Sequence, residues 1–374
     1  MSSEESMKRQ DVVVEVIYAP LVGGSEMLAF NLCKEWQAGG IKTRICCLYE
    51  RSGALIKVFE EAGIPYDLLD IGGHRLFGRW LRAARYFCRT RPRAIHVHHL
   101  GSLVNVLVPA YLAGCFNIVY TEHSAYTIAR TRWMQRLLPV VSRLVTRFTC
   151  VSRNLAEFFT TLGVPRERLL TIYNGVDIDR YKPGAPRAEF CPVVRIGAVG
   201  RLVAEKDYPT LLAALALLKA RNVRFFAEIA GDGPLAADLK ERAQALGLRG
   251  LVSFRGSCDN VPAFLRDLDI YVLSSRHEGL PIAVLEAMAT ALPVVATRIT
   301  AIPEIIDDGC TGILVPPGDA VAMADALATL AGDGIRRRAL GEAAREIVRA
   351  RYTISGTSRS YAAELGIRTR KKVV

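Results

Sequence analysis

Acidic residues are nearly missing from one stretch of the chain. Residues 74–147 hold a single one, Glu122, against twelve arginines, in a protein of 374 residues whose net charge is +12. Between Arg93 and Glu122 there is no charge of either sign. His96, His98, His99, Asn105, Pro109 and Asn117 interrupt that stretch, so it reads as strand, helix and strand in a buried core, not as one spanning helix. A CxxC pair is also absent. The nine cysteines are scattered from Cys33 to Cys310, with only Cys46 and Cys47 adjacent. An odd, scattered set excludes a disulfide framework and points to a reduced, cytoplasmic chain. No short-period repeat is present. With 51% apolar and 23% charged residues, disorder and fibrous repeats are excluded as well. The opening MSSEESMKRQ is polar and acidic, so neither a secretory signal nor a transit peptide is expected. The length fits two domains, each able to bury a core without disulfides or metals.

The surplus of positive charge has a pattern. Arg75, Arg79, Arg82, Arg85 and Arg89 step by three or four and share one helical face, beside a face of Leu76, Trp80, Ala83 and Phe87. A solvated surface helix explains the periodicity. It does not explain the missing acids, which a polyanionic partner would. No zinc-finger, RRM or KH signature accompanies the charge, so nucleic acid is not expected. The expected contact is an anionic membrane surface or acceptor, met peripherally through residues 75–89.

The rest of the chain alternates. Apolar, largely β-branched runs at 12–18, 41–49, 64–71, 94–97, 117–121 and 149–151 alternate with helical stretches. Ser152 is suited to cap the helix that follows the last of them. Residues 173–192 contain Asn174-Gly175, Pro183-Gly184, Pro186 and Pro192 and read as a linker. The alternation then restarts, with strands at 193–199, 224–229, 252–254, 270–273 and 294–297. Repeated β–α units imply an α/β fold of two Rossmann-like, doubly wound domains, with a cleft expected between them. The boundaries read as 1–180, joined by a returning helix at 353–374, and 181–352.

Three loops of the second half carry chemistry. Gly200-Arg201 and Glu205-Lys206 follow a strand, and a cation pair at the carboxyl edge of a parallel sheet suits phosphate, although two loop cations are more often solvated. Gly231 and Gly233 allow a tight turn and close backbone approach, but a third glycine at dinucleotide spacing is missing. The segment Arg276-His277-Glu278-Gly279-Leu280-Pro281-Ile282-Ala283-Val284-Leu285-Glu286 places one carboxylate on a loop and another on the helix that Pro281 begins. Glu286 stands among apolar neighbours and needs a partner.

Glu278 and Glu286 form an E-x7-E pattern that resembles the signature of glycosyltransferase family 4, retaining enzymes of the GT-B fold. Other elements resemble the family in order: Gly23-Gly24-Ser25-Glu26, Thr121-Glu122-His123-Ser124, Asn174-Gly175-Val176-Asp177, Gly200-Arg201 with Glu205-Lys206, and Pro303-Glu304-Ile305-Ile306 with Gly309 and Gly312. The resemblance implies a hexosyltransferase that moves sugar from a nucleoside diphosphate, UDP by preference, to a glycan or lipid-linked acceptor in polysaccharide or glycoconjugate synthesis. It assigns catalytic roles to His123, Glu278, Arg201 and Lys206. It assigns donor contacts to Gly23, Gly24, Arg201, Lys206, Gly231, Gly279, Leu280, Pro281, Ile282 and Glu286. Glu286 would take the ribose, Glu278 the donor sugar, and Arg201 and Lys206 the diphosphate, with His123 across the cleft.

No cofactor is expected, because the nucleotide sugar is a substrate. No metal is expected either. His96, His98 and His99 cluster, but no carboxylate or cysteine lies near them in the sequence, and Asp177-Ile178-Asp179 overlaps the hinge element. The rival readings are a sugar-nucleotide epimerase of the same fold and a non-catalytic polyanion-binding protein.

Overall fold

The computed structural model describes residues 10–50, 52–184 and 193–367. The linker's residues 185–192 and the basic tail from Arg368 lie outside the described residues. The chain divides into two compact units, one of residues 1–174 with 354–374 and one of 175–353. Each is an α/β layer built on a wholly parallel sheet.

The N-terminal unit has seven strands: β1 (Gln10–Ile17), β2 (Lys42–Cys47), β3 (Tyr66–Leu68), β4 (Pro92–His98), β5 (Ile118–Glu122), β6 (Arg147–Cys150) and β7 (Leu169–Thr171). Their order is β3-β2-β1-β4-β5-β6-β7. Parallel strands covered on both faces need near-continuous apolar runs, and β1 supplies one: Val13, Val14, Val16 and Ile17 are all buried. Glu15 interrupts that run and is itself 0% exposed. The strand order turns back between β1 and β4, which makes this the switch point of the sheet. Helix Ile354–Glu364 closes the unit by packing on helix Gly24–Ala38. Trp36 donates its indole N–H to the Ser358 carbonyl at 3.2 Å, and Leu28 and Leu32 share a core with Tyr361 and Leu365.

The C-terminal unit has six strands: β8 (Val194–Val199), β9 (Phe225–Ala230), β10 (Val252–Gly256), β11 (Ile270–Leu273), β12 (Val294–Thr297) and β13 (Ile313–Val315), in the order β10-β9-β8-β11-β12-β13. Its switch point falls between β8 and β11. Helix Tyr208–Ala220 buries Leu211, Leu212, Leu215 and Leu218 against β8 and β9 residues in one core. Among the described residues no helix is long and apolar enough to cross a membrane. The uncharged stretch after Arg93 resolves into the end of β4, helix Leu100–Leu112 and β5.

Candidate active site

Where the strand order reverses, the connections leaving adjacent strands run to opposite faces of the sheet, and this opens a place for a ligand at the carboxyl edge. In the C-terminal unit, the loop after β8 carries Arg201 and Lys206 and the loop after β11 carries Glu278. Lys206 Nζ donates to Glu278 Oε1 at 2.6 Å, with side chains 20% and 11% exposed. Ser275 Oγ donates to the same oxygen at 2.7 Å. Three further bonds fasten the loops together: Ser274 Oγ to the Lys206 carbonyl at 2.8 Å, the Arg276 amide to the Glu205 carbonyl at 2.8 Å, and Arg276 Nε to Asp207 Oδ2 at 2.7 Å. Asp207 sits at φ +45 as the residue ahead of helix Tyr208–Ala220, and Thr210 Oγ1 donates to it at 2.7 Å. Arg201 is exposed and makes no side-chain hydrogen bond or ion pair among the described residues. One cation is thus held and the other is open to a ligand.

Gly231 follows β9, and its missing side chain is required by the neighbouring turn. A Cβ there would stand 1.9 Å from the Gly200 carbonyl oxygen, at φ +149. Gly279, Leu280 and Pro281 lead into helix Ile282–Ala289, with Pro281 one position ahead of its first residue and not inside its first turn. Glu286 is the fifth residue of that helix. Its partner is Tyr181, whose hydroxyl donates to Oε1 at 2.6 Å. Burial pushes the Glu286 carboxyl above its ordinary value, partly offset by Tyr181 and Arg180. Arg345 donates to the Tyr181 and Ala289 carbonyls, pinning this corner. Asp177 Oδ1 accepts the amides of Asp179 and Arg180.

In the N-terminal unit, Gly23 is the extended residue ahead of helix Gly24–Ala38, and a Cβ on it would meet the Glu26 carboxylate at 2.4 Å. His123 is the first residue past β5. Its ring is bonded to His98, with His98 Nδ1 and His123 Nε2 2.8 Å apart. The expectation that no carboxylate accompanies the histidine cluster is overturned here. Glu15 pairs in register with His96 on the neighbouring strand, and its two oxygens reach His96 Nδ1 at 2.9 Å and His98 Nε2 at 2.7 Å. Glu122 collects a second set: His99 Nδ1 at 3.1 Å, the Tyr120 hydroxyl at 2.6 Å and the amides of Leu100 and His123 at 3.1 and 3.0 Å.

Residues 22–180 match the family model Glycosyltransferase Family 4, and residues 194–347 match Glycosyl transferases group 1. A mannosyltransferase of Mycobacterium tuberculosis, named as GDP-mannose-dependent and acting on phosphatidylinositol monomannoside, is 31% identical over 65% of this chain and 68% of its own length. The chain belongs to glycosyltransferase family 4. The putative glycosyltransferase EpsF of Bacillus subtilis is another similar protein, 30% identical over 58% of this chain and 59% of its own. The matches take in between 41% and 62% of the length of the first five curated relatives. HepE of Anabaena, solved with UDP and glucose, superposes with a TM-score of 0.85 at 20% identity, covering 96% of this chain and 100% of that one. That likeness shows the fold, which is GT-B.

In this family 4 chain the structure groups Arg201, Lys206, Glu278 and the lead-in to Glu286 on one sheet edge, and His123 with Gly23 and Gly24 on the edge of the other. Tyr181, Ser275 and Glu15 were not singled out in the sequence. Nothing local marks Tyr181 or Ser275. The lone acid inside 12-VVVEVI-17 is the one signal that could have found Glu15.

The arginine face is also revised. In helix Leu76–Thr90, Arg79 donates to the His74 and Gly72 carbonyls, Arg82 donates to the Asp70 carbonyl, and Phe87 is fully buried. Trp80 donates inward to the Val104 carbonyl at 3.0 Å. Phe77 alone among the aromatics of this helix is exposed, at 77%. A second amphipathic helix, Arg132–Leu144, was not expected. It exposes Trp133, Val140 and Leu144 beside Arg132, Arg136 and Arg143.

Proposed function

We propose that this chain is a retaining hexosyltransferase. It moves a sugar from a nucleoside diphosphate, UDP-linked, to a glycan or lipid-linked acceptor in polysaccharide or glycoconjugate synthesis. The observation that carries the reading is the Lys206–Glu278 pair spanning the switch point, with Arg201 exposed beside it. Cleavage of the bond to the anomeric carbon builds negative charge on the leaving diphosphate. Lys206 has three N–H donors and spends one on Glu278, so two remain for phosphate oxygens. Arg201 adds a planar fork. Lys206, a cation fixed before the reaction, stabilises the growing charge without reorganising, and Arg201 adds a second charge, so no metal is needed in this reading. Glu278 receives hydroxyls of the donor sugar. Glu286 receives the ribose hydroxyls in place of the Tyr181 hydroxyl. The leaving phosphate takes the acceptor's proton on the face it departs from, and the sugar keeps its anomeric configuration.

Peripheral contact with an anionic cytoplasmic leaflet belongs to the same proposal. The inward bonds of Arg79 and Arg82 weaken the case for residues 75–89 acting alone. Helix Arg132–Leu144, whose Arg132, Trp133, Arg136, Leu137 and Val140 line an open depression, supplies the apolar and cationic mix of an interfacial helix.

The test is nucleotide release from UDP-, GDP- and ADP-sugars, with and without lipid-linked and glycan acceptors. Acceptor-stimulated release of UDP is expected. Release without acceptor together with a changed sugar indicates an epimerase and overturns the reading, and so does no release from any donor.

A further inference from the structure

Four of the six histidines meet at the switch point of the N-terminal sheet, and their hydrogen bonds leave little freedom for protons. Glu15 is completely buried between β1 and β4. Burial alone raises its carboxyl, but the His96 and His98 rings outweigh burial and hold it below its ordinary value. Glu15 is therefore a carboxylate, which only accepts. His96 must donate to it from Nδ1 and His98 from Nε2. His98 is pushed down to about 4 by burial and by His96, so the ring is neutral and has one N–H. That N–H is already given to Glu15. His98 Nδ1 is then a bare lone pair, and the atom facing it at 2.8 Å is His123 Nε2. His123 must donate there. His123 is itself held well below its ordinary value by burial and by His99, His98 and His96. With one N–H, spent on His98, its Nδ1 carries no proton, and Nδ1 has no hydrogen-bond partner among the described residues.

We propose that Glu15 and His98 are positioning residues that lock His123 as the Nε2–H tautomer, so that His123 Nδ1 is a permanent acceptor for a hydroxyl group of the bound ligand. A carboxylate placed at the same point would set lone pair against lone pair, so the position selects a neutral hydroxyl over an acid group. That the hydroxyl belongs to a sugar rests on the proposed function; the tautomer does not. The groups facing His123 agree with a neutral ring. His99 is raised despite its burial, because Glu122 and Glu26 outweigh desolvation, and its ring lies 5.0 Å from that of His123. Glu122 accepts the His123 amide and not its ring. The ligating atoms of Glu15, His96 and His98 lie within 4.8 Å of one another and could hold a cation. Each is already satisfied by a hydrogen bond, and an ion there would strip the rings of the N–H groups that hold Glu15.

Nitrogen-15 spectra of the histidine rings in the full chain test this directly, because long-range proton couplings report which nitrogen is protonated. Signals are assigned by single loss in His123→Gln and His98→Gln. The wild type is expected to show His98 and His123 both protonated on Nε2 and not titrating between about pH 5.5 and 8. Glu15→Gln is expected to mix the His98 tautomers and, through them, those of His123, so that the unprotonated Nδ1 signal of His123 loses intensity. A His123 ring that carries its proton on Nδ1, or that titrates in this range, overturns the proposal in the wild type alone, without any variant having to fold. Stoichiometric zinc found by elemental analysis overturns it too. UDP is titrated into the same samples: the expected tautomer without UDP binding counts against the donor reading alone, whereas UDP binding with an Nδ1–H His123 counts against the lock alone.

Discussion

Replacing Lys206 with alanine separates what the switch-point pair does for the fold from what it does for a ligand. The ammonium lies 2.6 Å from Glu278 Oε1, and both side chains are mostly buried. Among the described residues, Lys206→Ala leaves that carboxylate with the Ser275 hydroxyl as its remaining side-chain donor. A hydrogen bond to a charged group contributes about 1.5–3 kcal/mol. The loss stays below the figure for a fully buried pair, because water reaches part of both groups. For a unit of this size 1 kcal/mol moves the melting temperature by about 2–4 °C, so a fall of roughly 3–12 °C is expected. Adding Glu278→Gln removes the stranded charge and should restore much of that fall. Affinity for UDP is the second readout. One lost charge-assisted contact to phosphate weakens it roughly ten- to a hundred-fold. Glu278→Gln by itself should spare UDP and weaken the UDP-sugar, since Glu278 is assigned to the sugar. Calorimetry and thermal melts on the three variants decide. A Lys206→Ala protein that melts and binds UDP like the wild type refutes the reasoning, and so does a double variant less stable than the single one.

Glycine positions give a contrast in stability. Gly231→Ala should destabilise by about 1–3 kcal/mol or more, because its Cβ would strike the Gly200 carbonyl in a strained conformation, whereas Gly101→Ala, at a helical position with nothing within 4 Å, should be neutral or add up to about 1 kcal/mol; urea titrations giving the reverse order would contradict both. Acid should loosen the N-terminal unit. His98 has its folded value depressed from 6.5 to about 4, so its contribution is full above 6.5 and is lost as pH falls towards 4, by roughly 3 kcal/mol. The lowered Glu15 acts in the same direction below its ordinary value. Melting temperatures that rise over that descent would have the wrong sign. In flotation, vesicles rich in anionic lipid should carry the wild type at low salt, and the triple change Trp133→Ser, Arg136→Ser, Val140→Ser should reduce binding more than Arg79→Ser with Arg82→Ser; equal effects would place the contact elsewhere.

The strands that could be read from the sequence were those with long apolar runs. The runs at 270–273 and 294–297 coincide with β11 and β12, because a buried parallel strand must be apolar throughout. β7 and β13 passed unnoticed: three residues each at a sheet edge carry too little pattern. Helix Arg132–Leu144 was hidden by its inverted dressing, with Trp133 and Val140 facing out and Pro139 in its interior. The residues proposed to hold the donor could be picked out together because Glu278, Gly279 and Glu286 fall within one short segment. Their partners were not. Tyr181 is 105 positions from Glu286, and Glu15 is 81 from His96. The parallel crossover between β1 and β4 brings Glu15 beside His96, and Tyr181 lies outside any strand or helix; local spacing encodes neither pairing.

The central claim is that the carboxyl edge of the C-terminal sheet binds a nucleoside diphosphate through Glu286. Calorimetric titration of UDP into the wild type and Glu286→Ala measures it most directly. Two charge-assisted hydrogen bonds to ribose, each about 1.5–3 kcal/mol, would be lost. The account predicts clear binding by the wild type and a fall of at least a hundred-fold in a variant whose fold is intact. Equal affinity for both proteins would contradict it.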